Sequence, residues 1–220
     1  GKSTIIRMMD GIIKPSSGNI FIEGINVSGL SRMPSEVLRK MGFIFQQANM
    51  LPWFTVCENV SLPLKVFGLR GKEWNENVTQ LMNMAGLSSV ANEYPTQVSL
   101  GKRQLAGVIR AMVYNPDILL MDEPFASLDD MSREQMDIEL LEIWSKTNKT
   151  IIFITHSVNE AVLLSDRIYV MATNPGRLTD VVEIDLPRPR TLDMMATPVF
   201  IAYEHKITKL IGELDLSKIK

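Results

Sequence analysis

The chain has 220 residues, a length that suits one large domain with an insertion. Its 23 Lys and Arg against 25 Asp and Glu give a net charge of −2, so no overall positive field exists to hold a nucleic acid. Hydrophobic residues at 45% and charged residues at 22% exclude the disordered and collagen-like classes. The only cysteine, Cys57, cannot close an internal disulfide.

The chain starts with Gly1-Lys2-Ser3-Thr4, followed by apolar residues at helical spacing. A phosphate-binding loop of the G-x-x-x-x-G-K-S/T type ends in this way, because glycine lets the backbone approach a phosphate and the following helix offers free N–H donors. In such a loop Lys2 reaches the β and γ phosphates and Ser3 binds Mg²⁺. Since only half of the motif is present, an ordinary exposed turn is the alternative for this tetrapeptide taken alone.

A hairpin and a helical region follow. Gly18 to Val27 alternates between apolar and turn residues, which predicts a hairpin with one exposed face. From about Gln46 to Pro116 the pattern becomes helical, and this predicts an inserted helical subdomain at about residues 46–115. We expect its helices to be broken at four positions, which are Pro52, Pro63, Gly86 and Pro95.

Two short uncharged runs, Ile118 to Met121 and Ile151 to Thr155, have the composition of strands buried on both faces of a parallel sheet. Each precedes a helical pattern that begins at a predicted capping box, formed by Ser132 with Gln135 and by Ser157 with Glu160. The alternation of strand and helix predicts an α/β core, with a further strand at Ile168 to Ala172.

Acidic residues and a histidine end the two buried strands. Asp122 and Glu123 follow the first, and His156 follows the second. The carboxyl ends of parallel strands meet at one edge, where open α/β sheets bind ligands. Asp122 suits a Mg²⁺-holding acid, and Glu123 suits a residue that orients or deprotonates water. The alternatives are strands that end in solvent and a histidine with a structural role.

Five segments of the chain occur in the order found in one known family. They are Phe43 to Gln46, Val98 to Gln104, Asp122-Glu123, Ser127 to Asp129 and Thr155-His156. These resemble, in turn, the Q-loop strand, the signature segment, the Walker B end, the D-loop and the switch histidine of the ATP-binding-cassette (ABC) ATPases that drive membrane transport. The resemblance covers nearly the whole chain. It implies an α/β P-loop NTPase fold with a RecA-like parallel sheet, a small antiparallel β part and the inserted helical subdomain.

The resemblance also implies a division of roles. Glu123 and His156 would be catalytic, and Ser3, Gln46 and Asp122 would hold Mg²⁺. The residues that would bind ATP are Gly1, Lys2, Ser3, Thr4, Gln46, Ser99, Gly101, Asp122 and Asp129. Among them, Ser99 and Gly101 of one cassette would cap the γ phosphate held by Lys2 of a second ATPase subunit, and Asp129 would link the two sites across the dimer.

Four segments are most similar to the importers of nitrate, sulfonate and taurine. They are Asn49 to Trp53, Glu58 to Val60, Asn174 to Arg177 and Asp185 to Arg190. The resemblance therefore implies an ATP-hydrolysing importer subunit that takes up a small solute, an anion such as nitrate, a sulfonate or taurine. Its partners would be transmembrane permease subunits and, indirectly, a solute-binding protein, with no nucleic acid. It would lie peripherally on the cytoplasmic side of the inner membrane.

Two departures from the family pattern limit these expectations. Leu100 stands where the signature usually has glycine, and Lys102 replaces the usual glutamine, so we expect weakened or altered phosphate capping. Gly1 falls inside the phosphate loop, so we expect a cassette domain at residues 1–185 that lacks its first strands, followed by a linker and tail at 186–220. The competing interpretations are a non-transport ABC ATPase and a catalytically weak cassette.

Overall fold

The computed structural model describes residues 1–173 and 175–216, so Asn174 and the last four residues of the predicted tail lie outside it. Helices and strands follow in this order: α1 (Lys2–Met9), β1 (Phe21–Ile22), β2 (Ile25–Asn26), α2 (Ser35–Leu38), β3 (Met41–Ile44), α3 (Val56–Val66), α4 (Lys72–Met84), α5 (Leu100–Met112), β4 (Ile118–Asp122), α6 (Asp130–Thr147), β5 (Thr150–Ile154), α7 (Val158–Leu164), β6 (Arg167–Ala172), β7 (Arg177–Glu183) and α8 (Pro198–Leu216). Short 3-10 helices lie at Ser88–Val90, Pro95–Gln97 and Leu192–Ala196.

The predicted parallel sheet is confirmed. Strand β4 lies between β3 and β5 and is parallel to both. Leu119, Leu120 and Met121 of β4 are each at most 1% exposed, because the strand is covered on both faces. The sheet therefore brings the ends of β4 and β5 side by side.

Two antiparallel pairs lie outside the parallel sheet. Strands β1 and β2 form the predicted hairpin, in which Ile22 pairs with Ile25. The predicted strand at Ile168 to Ala172 is also present, but it pairs antiparallel with β7 and does not join the parallel sheet. Its residues alternate between buried and exposed, with Tyr169 56% exposed, and this pattern is typical of an antiparallel pair with one face in solvent.

Helices α3, α4 and α5 lie in the region predicted to be helical, at about residues 46–115. The predicted break at Pro63 is wrong, because Pro63 lies inside α3. The start of this helix is fixed by a capping box between Thr55 and Glu58. Val60 and Leu64 on either side of the proline are buried. Packing of the apolar face thus outweighs the one backbone hydrogen bond that proline removes.

The segment predicted to be a linker packs tightly against the domain. Arg190 is 4% exposed and donates hydrogen bonds to the carbonyl oxygens of Val162, Leu163 and Ser165, at the end of α7. The last carbonyls of a helix have no partner within it, so a guanidinium with five donors is well suited to cap them. Helix α8 then buries Phe200 and Ile207 in an apolar cluster that also contains Val162 and Leu163 of α7.

Within residues 1–173 and 175–216, no helix combines the length and the hydrophobicity needed to cross a lipid bilayer.

Gly42 lets α5 lie directly on β3. A Cβ atom at this position would approach the carbonyl oxygen of Ala111 to 2.5 Å and Leu119 Cδ2 to 2.6 Å. Backbone cannot yield cheaply at such distances in a close-packed interior. Glycine at this position therefore sets the distance between the sheet and the helix.

We expect Gly42→Ala to lower the free energy of unfolding by about 1–3 kcal/mol, because the added methyl group overpacks the contact between β3 and α5. The matched control is Gly29→Ala, where a Cβ would meet nothing within 4 Å. Urea denaturation of both variants checks the prediction, and equal midpoints for the two would contradict it.

Candidate functional site

Two strand ends and one helix start converge at the carboxyl edge of the parallel sheet. Asp122 is the last residue of β4 and pairs in register with Ile154, the last residue of β5. Ser3, in the first turn of α1, donates a hydrogen bond from Oγ to Asp122 Oδ1 at 2.9 Å. The structure thus joins the predicted phosphate-loop residue to the predicted metal-binding acid.

The start of α1 has the properties of an anion site. Gly1 is its N-cap and provides no side-chain cap, and the first turn contains no acidic residue. The amide groups of the first turn have no acceptor within the helix, and the helix dipole favours negative charge there. Lys2 and Thr4 are exposed beside these amides. A phosphate group is the kind of ligand that this arrangement suits.

Glu123 is held toward the neighbouring strand by an unusual backbone conformation. Its φ is +49°, in the left-handed region that few residues other than glycine adopt. Its N–H donates to the carbonyl oxygen of Ile154 at 3.0 Å, and its Oε2 lies 3.3 Å from His156 Nδ1. Strained backbone of this kind often occurs at functional sites. The structure therefore brings the two predicted catalytic residues into direct contact.

Asp129 is the N-cap of α6, three residues before the predicted cap at Ser132. Its carboxylate accepts hydrogen bonds from the backbone N and the Oγ of Ser132, at 3.0 and 2.7 Å. These hydrogen bonds hold the pKa of Asp129 below its usual value. The predicted capping box at Ser132 is wrong, because Gln135 instead bonds forward to Glu139. The exposed Asp129 is thus both the helix cap and the predicted interface residue.

The cap at Ser157 is as predicted, but its capping box is incomplete. Ser157 Oγ accepts from the backbone N of Glu160 at 3.3 Å. The backbone N of Ser157 donates to Thr155 Oγ1 at 2.8 Å, and the Glu160 side chain also bonds to Thr155. In a complete capping box the Glu160 side chain would bond to the backbone N of Ser157, but here each of these two groups bonds to Thr155 instead.

Gln104 was not predicted as part of the site, yet it connects two of its loops. This residue is 3% exposed, and its Nε2 donates to the Gln46 carbonyl at 2.9 Å and to Ser127 Oγ at 3.1 Å. Arg110, two turns further along α5, donates to the carbonyl of Asn49 at 3.0 Å. An amide among the apolar residues of a helix face is the signal that identifies such a position. Gln46 itself is exposed.

Ser99 and Gly101 lie at the start of α5, and Ser99 accepts hydrogen bonds from Lys102 and Arg103 of the same helix. Ser99 is the N-cap, and its Oγ accepts from the backbone N of Lys102 at 3.4 Å. Leu100 beside it is 39% exposed. No contact within the described part of the chain requires glycine at position 101, since an added Cβ would be 3.8 Å from its nearest neighbour, Met136 Sδ. The two segments predicted to sandwich a nucleotide therefore occupy different parts of one chain.

Comparisons with known proteins identify the family of this chain. The family model described as ABC transporter matches residues 1–126. A taurine import ATP-binding protein of Rhizobium johnstonii is 40% identical over 190 residues, covering 86% of this chain and 69% of the relative. A nitrate import ATP-binding protein of Synechocystis sp. is 34% identical over 217 residues, covering 96% of this chain and 79% of the relative.

A solved structure is also similar to this chain. It is described as the dimeric, post-hydrolysis state of an ATP-binding cassette bound to ADP and Pi. It has a TM-score of 0.70 and 31% sequence identity, and the match covers 85% of this chain and 82% of that one. The predicted α/β P-loop fold is confirmed by this likeness together with the parallel sheet. The chain belongs to the ABC transporter family, as an ATP-hydrolysing cassette.

Proposed function

We propose that this chain is the ATP-hydrolysing subunit of an ABC importer and couples hydrolysis to the uptake of a small solute. The observation that carries the proposal is the convergence of two pairs at one sheet edge. Ser3 donates a hydrogen bond to Asp122, and Glu123 contacts His156, so the proposed phosphate-binding and water-activating groups are neighbours. Phosphoryl transfer requires this combination of positioning and charge stabilisation.

The Ser3 and Asp122 pair suits Mg²⁺. Both residues offer oxygen atoms, the ligands that Mg²⁺ prefers, and their oxygens are 2.9 Å apart. Mg²⁺ commonly uses one or two protein groups and takes its other ligands from phosphates and water. The described residues contain no cluster of three or more His, Cys, Asp or Glu that could hold a metal alone, which agrees with an ion that arrives with the nucleotide. Gln46 completes the proposed set as a residue near the metal and its water.

In the proposed reaction Lys2 and the amides of α1 hold the β and γ phosphates. Glu123 orients a water molecule toward the γ phosphorus and accepts its proton, while His156 contacts the γ phosphate or the attacking water. The 3.3 Å contact between His156 Nδ1 and Glu123 Oε2 fixes their separation. Mg²⁺, when bound, neutralises charge on the phosphate oxygens.

A second ATPase subunit would complete the nucleotide site. Ser99 and Asp129 are exposed, and an added Cβ at Gly101 would make only an ordinary van der Waals contact with Met136. The start of α5 is a helix N-terminus and favours a phosphate from the partner cassette. The exposed Leu100 adds bulk at this point, so we expect a capping contact altered from the usual glycine pair.

The transport role is supported by the import relatives and by an exposed tryptophan. Residues 46–69 would receive a helix of the transmembrane permease, and Trp53 in this segment is 67% exposed. We infer a peripheral position on the cytoplasmic side of the inner membrane. A solute-binding protein would act through the permease, and a small anion such as nitrate, a sulfonate or taurine is the proposed cargo.

The alternatives are a non-transport ABC ATPase and a catalytically weak cassette. The altered signature at Leu100 favours the second. The intact pairs at the sheet edge favour an active enzyme.

We expect Glu123→Gln to lower kcat for ATP hydrolysis by at least about 100-fold while ATP binding persists, because the amide keeps the shape of the carboxylate but cannot accept the proton. Phosphate release by the full-length protein measures the effect. Glu73→Gln on the exposed start of α4 is the matched control and should not change kcat. Unchanged hydrolysis in Glu123→Gln would exclude the proposed base.

We expect Ser3→Ala to raise the Mg²⁺ concentration required for half-maximal ATPase activity by at least about tenfold, because one metal ligand is lost. A Mg²⁺ titration at constant ATP measures this requirement. Ser16→Ala, at an exposed position, serves as the control. An equal Mg²⁺ requirement for both variants would contradict the assignment of Ser3 as a ligand.

We expect the full-length protein to co-purify with a polytopic membrane protein, and Trp53→Ala to weaken that association because buried tryptophans contribute strongly at interfaces. Tyr169→Ala removes a comparably exposed aromatic residue on β6 and should leave the association intact. An active ATPase that co-purifies with no membrane protein would favour the non-transport alternative.

A further inference from the structure

Two carboxyl groups are buried together between α6 and α7. Asp137 is 3% exposed and Glu160 is 6% exposed. Asp137 Oδ1 has no hydrogen-bond partner among the described residues. Buried acidic side chains are costly unless they are paired or neutral, so this pair needs an explanation.

The pair is directly connected to the loop that carries His156. Thr155 Oγ1 donates a hydrogen bond to Glu160 Oε2. Thr155 Oγ1 also accepts a hydrogen bond from the backbone N of Ser157 at 2.8 Å. His156 lies between these two anchored residues. The orientation of the loop thus depends on the position of the Glu160 carboxylate.

The pair is also connected to the start of α6. Arg133 lies near both carboxyl groups and donates from Nη2 to the carbonyl of Leu128 at 2.9 Å. Leu128 directly precedes Asp129, the residue proposed to reach the second subunit. The cluster therefore lies between the loop of His156 and the proposed dimer contact.

The surroundings of the two carboxyl groups favour their protonated forms. Burial, followed by the negative charge of Glu160, raises the pKa of Asp137 to about 8. Burial also raises the pKa of Glu160, against the opposing hydrogen bond from Thr155. The charged groups that act on the pair are Arg133 and Glu134 from α6 and His156 from the loop.

The sign of the effect follows from this shift. Between the ordinary value of 3.8 and about 8, the folded chain keeps a proton on Asp137 that an unfolded chain loses. The stability contribution of the protonated pair is therefore present at low pH and is lost as the pH rises toward the folded-state value. Above it, two negative charges face each other in the interior.

We propose that Asp137 and Glu160 share one proton and act as positioning residues that hold His156 in place for ATP hydrolysis. The inference rests on the proposed catalytic role of His156. Protonated Asp137 donates to Glu160, and Glu160 accepts from Thr155, so the loop is fixed. Loss of the shared proton separates the carboxylates and displaces the loop, which slows the chemical step without changing the groups that bind ATP.

The test is the pH dependence of kcat in the full-length protein, compared with Asp137→Asn. An asparagine amide can donate to Glu160 at every pH, so it replaces the protonated acid. One group that titrates near pH 8 predicts a fall in wild-type kcat of about tenfold between about pH 7 and pH 9. Asp137→Asn should fall less than about twofold over the same range, with the KM for ATP unchanged in both proteins. Glu142→Gln, on the exposed face of α6, should follow the wild type.

Equal pH profiles for the wild type and Asp137→Asn, whether both fall or neither falls, would overturn the inference. If the variant does not fold, infrared spectroscopy of the wild type decides: a protonated carboxyl C=O stretch should be present at about pH 7 and lost by about pH 9.5, and its absence at about pH 7 would overturn the proposal. Failure of the proposed function is a separate result, recognised by wild-type protein without ATPase activity or by unchanged activity in Glu123→Gln.

Discussion

The hydrogen bond between Ser3 and Asp122 is the contact on which the site depends. It joins residues 119 positions apart, one at the start of α1 and one at the end of β4. Because a helix N-terminus attracts phosphate and a strand-end carboxylate attracts Mg²⁺, their contact is the basis of the proposed site for a metal-bound nucleotide. Neither group has this capacity alone, since Ser3 is an ordinary hydroxyl and Asp122 an ordinary acid outside this arrangement.

The rest of the fold holds this contact and its neighbours in place. The parallel register of β4 and β5 sets Glu123 beside His156, and the left-handed backbone at Glu123 completes the approach. Gln104 ties α5 to the loop at Gln46 and to Ser127. Helix α5, which Ser99 caps, is thus connected to the loops around the proposed nucleotide site. Such connections are a physical means by which partner binding and hydrolysis can be coupled.

Sequence patterns were sufficient where the determinant was local. Apolar runs identified β4 and β5, and the residues that follow them identified Asp122, Glu123 and His156. The errors concern positions decided by distant partners. Pro63 remains in α3 because its neighbours Val60 and Leu64 are buried in the core. The cap of α6 is an exception, since Asp129 bonds to Ser132 only three residues away and the sequence contains both residues as candidate caps. Arg190 was missed as an anchor because its acceptors are carbonyls contributed by another segment, and no local pattern records them. For Gln104 the local signal is only an amide on an apolar helix face, which does not reveal its partners Gln46 and Ser127.

The most direct measurement is a crystal structure of the full-length protein with Mg²⁺ and a non-hydrolysable ATP analogue. We predict Mg²⁺ bound by Ser3 Oγ and close to Asp122, with the terminal phosphate beside Lys2 and a water molecule between it and Glu123. We also predict that Ser99 of a second copy contacts the same phosphate. A nucleotide bound away from this sheet edge would contradict the proposed site. So would a Mg²⁺ ion that contacts neither Ser3 nor Asp122, whether directly or through a bound water molecule.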